Sequence, residues 1–121
     1  MLASRHTHTT LPAANLERAK RFYADKLGLT PEQETPGGVF YHTGGDTRLL
    51  VYPSQGVASG THTQIGWTVD DIEAEVADLK ARGVVFEEYP TTVNSIASPG
   101  PIKAAWFKDS EGNLHGLVQF L

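Results

Sequence analysis

The segment NLERAKRFYADKLGL, Asn15 to Leu29, decides the fold when it is set beside DDIEAEVADLKARGV, Asp70 to Val84. In the first, Leu16, Ala19, Phe22, Tyr23 and Leu27 recur at spacings of three and four, which makes one apolar stripe along a helix. Asn15 suits an N-cap and Gly28 a C-terminal stop. In the second, Ile72, Val76 and Leu79 form the stripe. Asp70 is placed to cap it, with Glu73 three residues on, as in a capping box, and Gly83 ends it. The two closing signatures, KLGL and ARGV, set the register of an internal repeat.

Working outward, each helix follows an extended run: HTHTTLPA before the first, TQIGWTV before the second. Three strand candidates follow each. After the first helix come TPEQE, GVFYHT and TRLLVYP, divided by PGG and TGGD turns. After the second come VVFEEYP, IKAAWFKD and NLHGLVQF, the last two joined by the turn DSEGN. The order strand–helix–strand–strand–strand therefore occurs twice. It predicts an α+β fold: two βαβββ modules, about residues 1–57 and 58–121 of one domain, joined as a curved mixed sheet around a cleft. PTTVNSIASPGPI, Pro90 to Ile102, reads as a loop able to cover one end of that cleft.

Composition narrows the function classes. In 121 residues, 40% hydrophobic and 20% charged, there is material for one real core. The net charge of -4 argues against nucleic-acid binding, which needs clustered Lys and Arg. No apolar run approaches the roughly 20 residues that cross a bilayer, and MLASRHTHTT has no signal-peptide core. With no cysteine there is no thiolate chemistry. A cytoplasmic location without membrane or nucleic-acid partners is the expectation.

The segments LPAANLERAKRFYADKLGL, QIGWTVDDIEAEVADLKARGV and WFKDSEGNLHGLVQ together resemble the vicinal oxygen chelate superfamily, which includes glyoxalase I, extradiol dioxygenases and bleomycin-resistance proteins. The resemblance covers nearly the whole chain and implies a homodimer. In metal-dependent members, His, Glu or Gln residues on inward strand positions hold a divalent metal. Carried over residue by residue, the resemblance puts those positions at His8, Leu50, Gln64 and Gly116. His8 matches and Gln64 is a weaker oxygen ligand. Leu50 and Gly116 stand where the family often has Glu. A catalytic zinc normally keeps three protein ligands, and the missing carboxylates also remove the usual general base. No cofactor is therefore expected, with a divalent metal on His8 and Gln64 as the alternative.

The remaining histidines and the aromatics complete the candidate set. In RHTHTT, His6 and His8 share a face if the run is a strand, and His62 shares a face with Gln64. Such a set could hold Zn or Cu, but His6 and His62 read more simply as solvated residues near strand ends. His42 adjoins a turn. His115 alternates away from Gly116, toward the helices, and reads as a partly buried packing residue. By the same parity, Tyr52 shares the face of Leu50, Trp67 packs under the second helix, and one of Trp106 and Phe107 faces the cleft. With Leu50, Tyr52, an aromatic at Trp106 and no side chain at Gly116, the cleft should be roomy and apolar, with His8 and Gln64 as polar anchors. Three readings follow. The first is metal-free binding of a small apolar or aromatic molecule, as in the bleomycin-resistance branch. The second is a metal-dependent lyase, isomerase or dioxygenase. The third is a structural or regulatory protein with a vestigial cavity. Whether the chain is an enzyme stays open at this stage.

Overall fold

The helix α1, Leu16–Asp25, begins where Asn15, in an extended conformation, accepts a hydrogen bond from the Arg18 amide at 3.0 Å. It closes through Gly28, whose φ of +69° lets the Leu29 N–H reach the Tyr23 carbonyl. The helix α2, Ile72–Ala81, is capped by Asp71, not Asp70. Asp71 has the extended backbone a cap requires and accepts from the Ala74 amide at 3.1 Å. That one-residue shift takes Glu73 out of the capping-box position, and its carboxylate pairs with Lys103 instead. The computed structural model describes all residues, 1–121.

Around α1 lie β1 (Thr9–Ala13), β2 (Pro31–Thr35), β3 (Gly38–His42) and β4 (Arg48–Pro53). They form a mixed sheet in the order β1-β4-β3-β2, with only β1 and β4 parallel. Around α2 lie β5 (Ile65–Thr68), β6 (Ile102–Lys108) and β7 (Leu114–Phe120), in the order β5-β7-β6. This is the α+β arrangement of two modules with curved mixed sheets. No helix is long and apolar enough to cross a membrane.

Two strand expectations change. VVFEEYP is not a strand; it keeps one bridge, Phe86 to Phe107, with the Glu87 amide bonded to the Trp106 carbonyl. The cause is local. The Glu88 carboxylate accepts from the Ser95 amide, the Ser95 hydroxyl and the Thr92 hydroxyl, so the chain turns at Tyr89–Thr92 instead of extending. Only the last two residues of RHTHTT are strand: β1 starts at Thr9, opposite Leu49, so His6 and His8 lie before it. β4 begins at Arg48, so residues upstream of His8 have no strand partner. The segment 90–102 is irregular, as expected. It lies along β6 through a bridge from Ala97 to Ala104.

Alternation along the strands sorts the faces. Leu11, Ala13, Val39, Tyr41, Leu49 and Val51 are buried with Ala19 and Tyr23 of α1. Phe86, Ala105, Phe107 and Leu117 are buried with Ile72, Val76 and Leu79 of α2. Phe22, Leu27 and Trp67 pack against both clusters. The modules of one chain therefore meet through their helix-bearing sides. Their other sheet faces stay open, and no strand of one sheet hydrogen-bonds to the other.

Candidate functional site

Five side chains missed by local pattern form a buried polar relay between the modules. The Trp67 indole N–H donates to His115 Nδ1 at 3.0 Å. An indole N–H only donates, so Nδ1 accepts and the ring proton sits on Nε2. Nε2 lies 3.0 Å from the Tyr23 hydroxyl, which in turn donates to Asp109 Oδ2 at 2.6 Å. Asn113 Nδ2 donates to the same oxygen and to the Pro12 carbonyl. Asp109 Oδ1 accepts from the Glu111 and Asn113 amides. Burial alone would raise the Asp109 pKa. The His115 ring edge at 3.8 Å, the Tyr23 hydroxyl and Asn113 outweigh it and hold the carboxyl below the usual carboxylate range. Burial, and then the Asp109 charge, push the Tyr23 phenol well above its usual value. His115 is thus fully buried, not partly, and faces the helices with Phe107 stacked on it. One signal was available in the sequence: the DSEGN turn carries the acid and the amide that anchor the relay.

The same turn grips α1 from outside. The Glu111 carboxylate accepts from the Asn15 amide at 2.9 Å and from the Arg18 guanidinium at 2.8 and 3.1 Å. The Arg18 hydrogen bond holds the Glu111 carboxyl below its ordinary value.

The six sequence-derived site residues fall into two groups. His8, Leu50 and Tyr52 belong to the first module. Leu50 pairs with Thr10 on one side and Phe40 on the other, and Tyr52 pairs with Pro12. Leu50, Tyr52 and Phe40 are half-buried on the open face. The His8 ring meets Phe40 edge-on at 5.3 Å, and the Arg48 guanidinium lies 4.1 Å from the Phe40 ring centre. Phe40 and Arg48 thus extend this group. His8 is exposed and shares a surface pocket of about 380 Å³ with His6, His42, Asp46 and Arg48. His62 is not with them; its ring contacts the Ser59 hydroxyl.

Gln64, Trp106 and Gly116 belong to the second module. Gln64 Nε2 donates to Asn113 Oδ1 at 2.9 Å, and its Oε1 lies 3.4 Å from the Leu114 amide. Both ends of this amide are engaged by the chain itself. Trp106 takes the open face and Phe107 the core. The room expected at Gly116 is not empty. Trp106 is its cross-strand partner, and a Cβ there would stand 3.3 Å from Trp106 Nε1 and 3.2 Å from Thr63 Cγ2. The Tyr89 ring lies edge-on to Trp106 at 5.5 Å. None of the four main cavities of the chain is lined by Leu50, Tyr52, Gln64, Trp106 or Gly116. One chain does not bring the two groups together. No group of three or more His, Asp or Glu side chains converges tightly enough to hold a metal ion.

A βαβββ module and a βαββ module, with open, partly aromatic sheet faces, define a glyoxalase-type fold. Residues 5–115 match the family model of the Glyoxalase/Bleomycin resistance protein/Dioxygenase superfamily, and the chain belongs to that family. It is 29% identical over 129 residues to the uncharacterised protein YurT of Bacillus subtilis strain 168, covering 92% of this chain and 95% of the relative. Among solved structures, TnmS3, an antibiotic binding protein from Streptomyces sp. CB03234, superposes with a TM-score of 0.70 at 24% identity, covering 98% of each chain. A lactoylglutathione lyase from Agrobacterium tumefaciens superposes with a TM-score of 0.63 at 25% identity, covering 96% of this chain and 93% of the lyase. The same fold thus serves a binder and an enzyme.

Proposed function

We propose that the protein binds a small apolar or aromatic molecule on the faces that carry Leu50, Tyr52 and Trp106, without a divalent metal holding it. The observation that carries this reading is the donor set at the family's ligand positions. Leu50 and Gly116 have no donor, the Gln64 amide is bonded at both ends, and only the exposed His8 imidazole remains free to ligate. One imidazole does not make a catalytic metal centre. The half-buried Phe40, Leu50, Tyr52 and Trp106 suit stacking against a planar ligand. The likeness of fold to an antibiotic binding protein supports small-molecule binding. A homodimer belongs to this reading, because an open face in one chain gains a wall only from a second chain. So does a cytoplasmic location.

The alternative is a metal-dependent lyase, isomerase or dioxygenase that draws on His8 and Gln64, the two family ligand positions that carry a donor side chain. The test is metal analysis of untagged protein together with thermal shift against planar aromatic antibiotics and α-ketoaldehyde–thiol adducts. The proposal expects substoichiometric metal, and stabilisation by an aromatic compound of about 2.7 kcal/mol at a hundredfold excess over its Kd. Stoichiometric Zn, Ni, Mn or Fe that is lost in His8→Ala sinks it. Sedimentation at several concentrations tests the dimer; a monomer throughout refutes that part.

A further inference from the structure

On the helix-bearing side, away from the faces above, a cavity of about 260 Å³ opens between the end of α1 and α2. Seven of its nine lining residues are hydrophobic, so its wall is apolar. Leu27 and Leu29 come from the turn after α1, Trp67 from β5, Leu79 from α2 and Phe107 from β6. The one charged lining residue is Glu75. It is exposed and therefore stands at the mouth. Its acidic neighbours on α2 are already engaged. Glu73 pairs with Lys103, Asp78 with Arg82, and Asp71 caps the helix. Glu75 enters none of the molecule's ion pairs, so its charge is unmatched beside an apolar hollow. The Trp67 indole N–H is committed to His115, which leaves the pocket only the ring's π surface and edge. A ring face attracts cations and offers nothing to anions. The volume suits a compact aromatic amine; drug-sized ligands use pockets from ~300 Å³ upward.

We propose that this cavity is a second small-molecule site, selective for a compact apolar body with one ammonium group, an aryl- or alkylammonium. The body fills the leucine-lined hollow, and the ammonium meets the Glu75 carboxylate and the Trp67 ring. A neutral molecule of the same shape gains only the burial. An anion meets the acid-rich surface of α2. An exposed ion pair contributes about two- to fivefold in affinity, and a cation–π contact adds a similar factor. The cation should therefore bind about fivefold or more tightly than its neutral isostere at low salt.

The chain has two tryptophans, so Trp106→Phe leaves Trp67 as the sole reporter in the cavity wall. Its fluorescence would be titrated at low ionic strength with 2-phenylethylammonium, 2-phenylethanol and phenylacetate. The expected order of affinity is ammonium, alcohol, carboxylate. In Trp106→Phe/Glu75→Gln the ammonium should fall to the affinity of the alcohol, which itself should not change. Glu75 is exposed on a helix, and circular dichroism checks that the variant keeps its fold. Three results overturn the proposal: no saturable Trp67 response to any probe, equal affinities for all three, or an ammonium preference that survives Glu75→Gln. A Trp67→Phe variant, with Trp106 as reporter, locates binding on the open face instead. A response there without one from Trp67 also refutes the second site.

Discussion

Tyr23→Phe removes a single oxygen from the relay between the modules, and its consequences can be worked out atom by atom. Asp109 Oδ2 loses its 2.6 Å donor but keeps Asn113 Nδ2. His115 Nε2–H loses its acceptor in a site with no exposure at either residue. A hydrogen bond to a charged group contributes about 1.5–3 kcal/mol, and a stranded buried donor costs about 1–3 kcal/mol. A packed phenyl ring preserves the stacking, so a net loss of about 2–4 kcal/mol is expected at neutral pH. The assay is urea unfolding at fixed protein concentration, read as a lower midpoint with an unchanged slope. The difference should also depend on pH. The Asp109 carboxyl is depressed in the folded state, so its contribution is present above the unfolded value near 3.8 and is lost as pH falls through the folded value. The Tyr23 phenol is raised, so its contribution is present below 10 and fades as pH rises above that. Wild type and variant should therefore converge toward both extremes. A loss under about 0.5 kcal/mol, or the same gap at pH 3 and pH 7, refutes the account.

Tyr41 stacks on Tyr23, but its own hydroxyl is buried with no partner. Tyr41→Phe should leave stability unchanged or raise it by about 1 kcal/mol in the same urea assay; a loss above that contradicts the structure. Asp71→Ala should cost about 1 kcal/mol through the lost cap, whereas Asp70→Ala should cost less than half of that in a thermal melt. Equal effects would return the cap to Asp70. Gly116→Ala forces Trp106 and Thr63 to give way, and should cost about 1 kcal/mol with a shifted Trp106 emission in a Trp67→Phe background. Unchanged emission would show that the indole does not occupy that space.

The helices were legible because each has a period-3.6 stripe between a capping residue and a glycine. Only the cap of α2 moved, from Asp70 to Asp71, since a cap depends on backbone angles at one residue and the two look alike in sequence. Strand faces were legible from period two, which set Tyr52 with Leu50 and put Trp106 and Phe107 on opposite faces; only the packing under α2 shows that Phe107 is the inward one. VVFEEYP failed because a single carboxylate, Glu88, draws in Thr92 and Ser95 and turns the chain. RHTHTT is strand only from Thr9, because a strand exists only where a partner does, and β4 offers none beyond Arg48. The relay was invisible because Tyr23 and His115 lie 92 residues apart, beyond any local pattern. At Gly116, a missing side chain was read as space. The hairpin register places Trp106 directly opposite, and that register was available from the DSEGN turn.

The two clasps on α1, Tyr23 to Asp109 and Asn15 with Arg18 to Glu111, join the halves without help from the covalent link between them. The connecting stretch after β4 is exposed at Val57, and its Ser59, Thr61 and His62 side chains bond only among themselves. The peptide chain there acts as a tether, not a hinge. A backbone cut near residue 57 should leave the two pieces associated as one particle on gel filtration; separate elution would show that the tether carries the assembly. Each module is thus held to the other by side chains of α1 and of the β6–β7 turn, and the covalent connection only keeps them within reach.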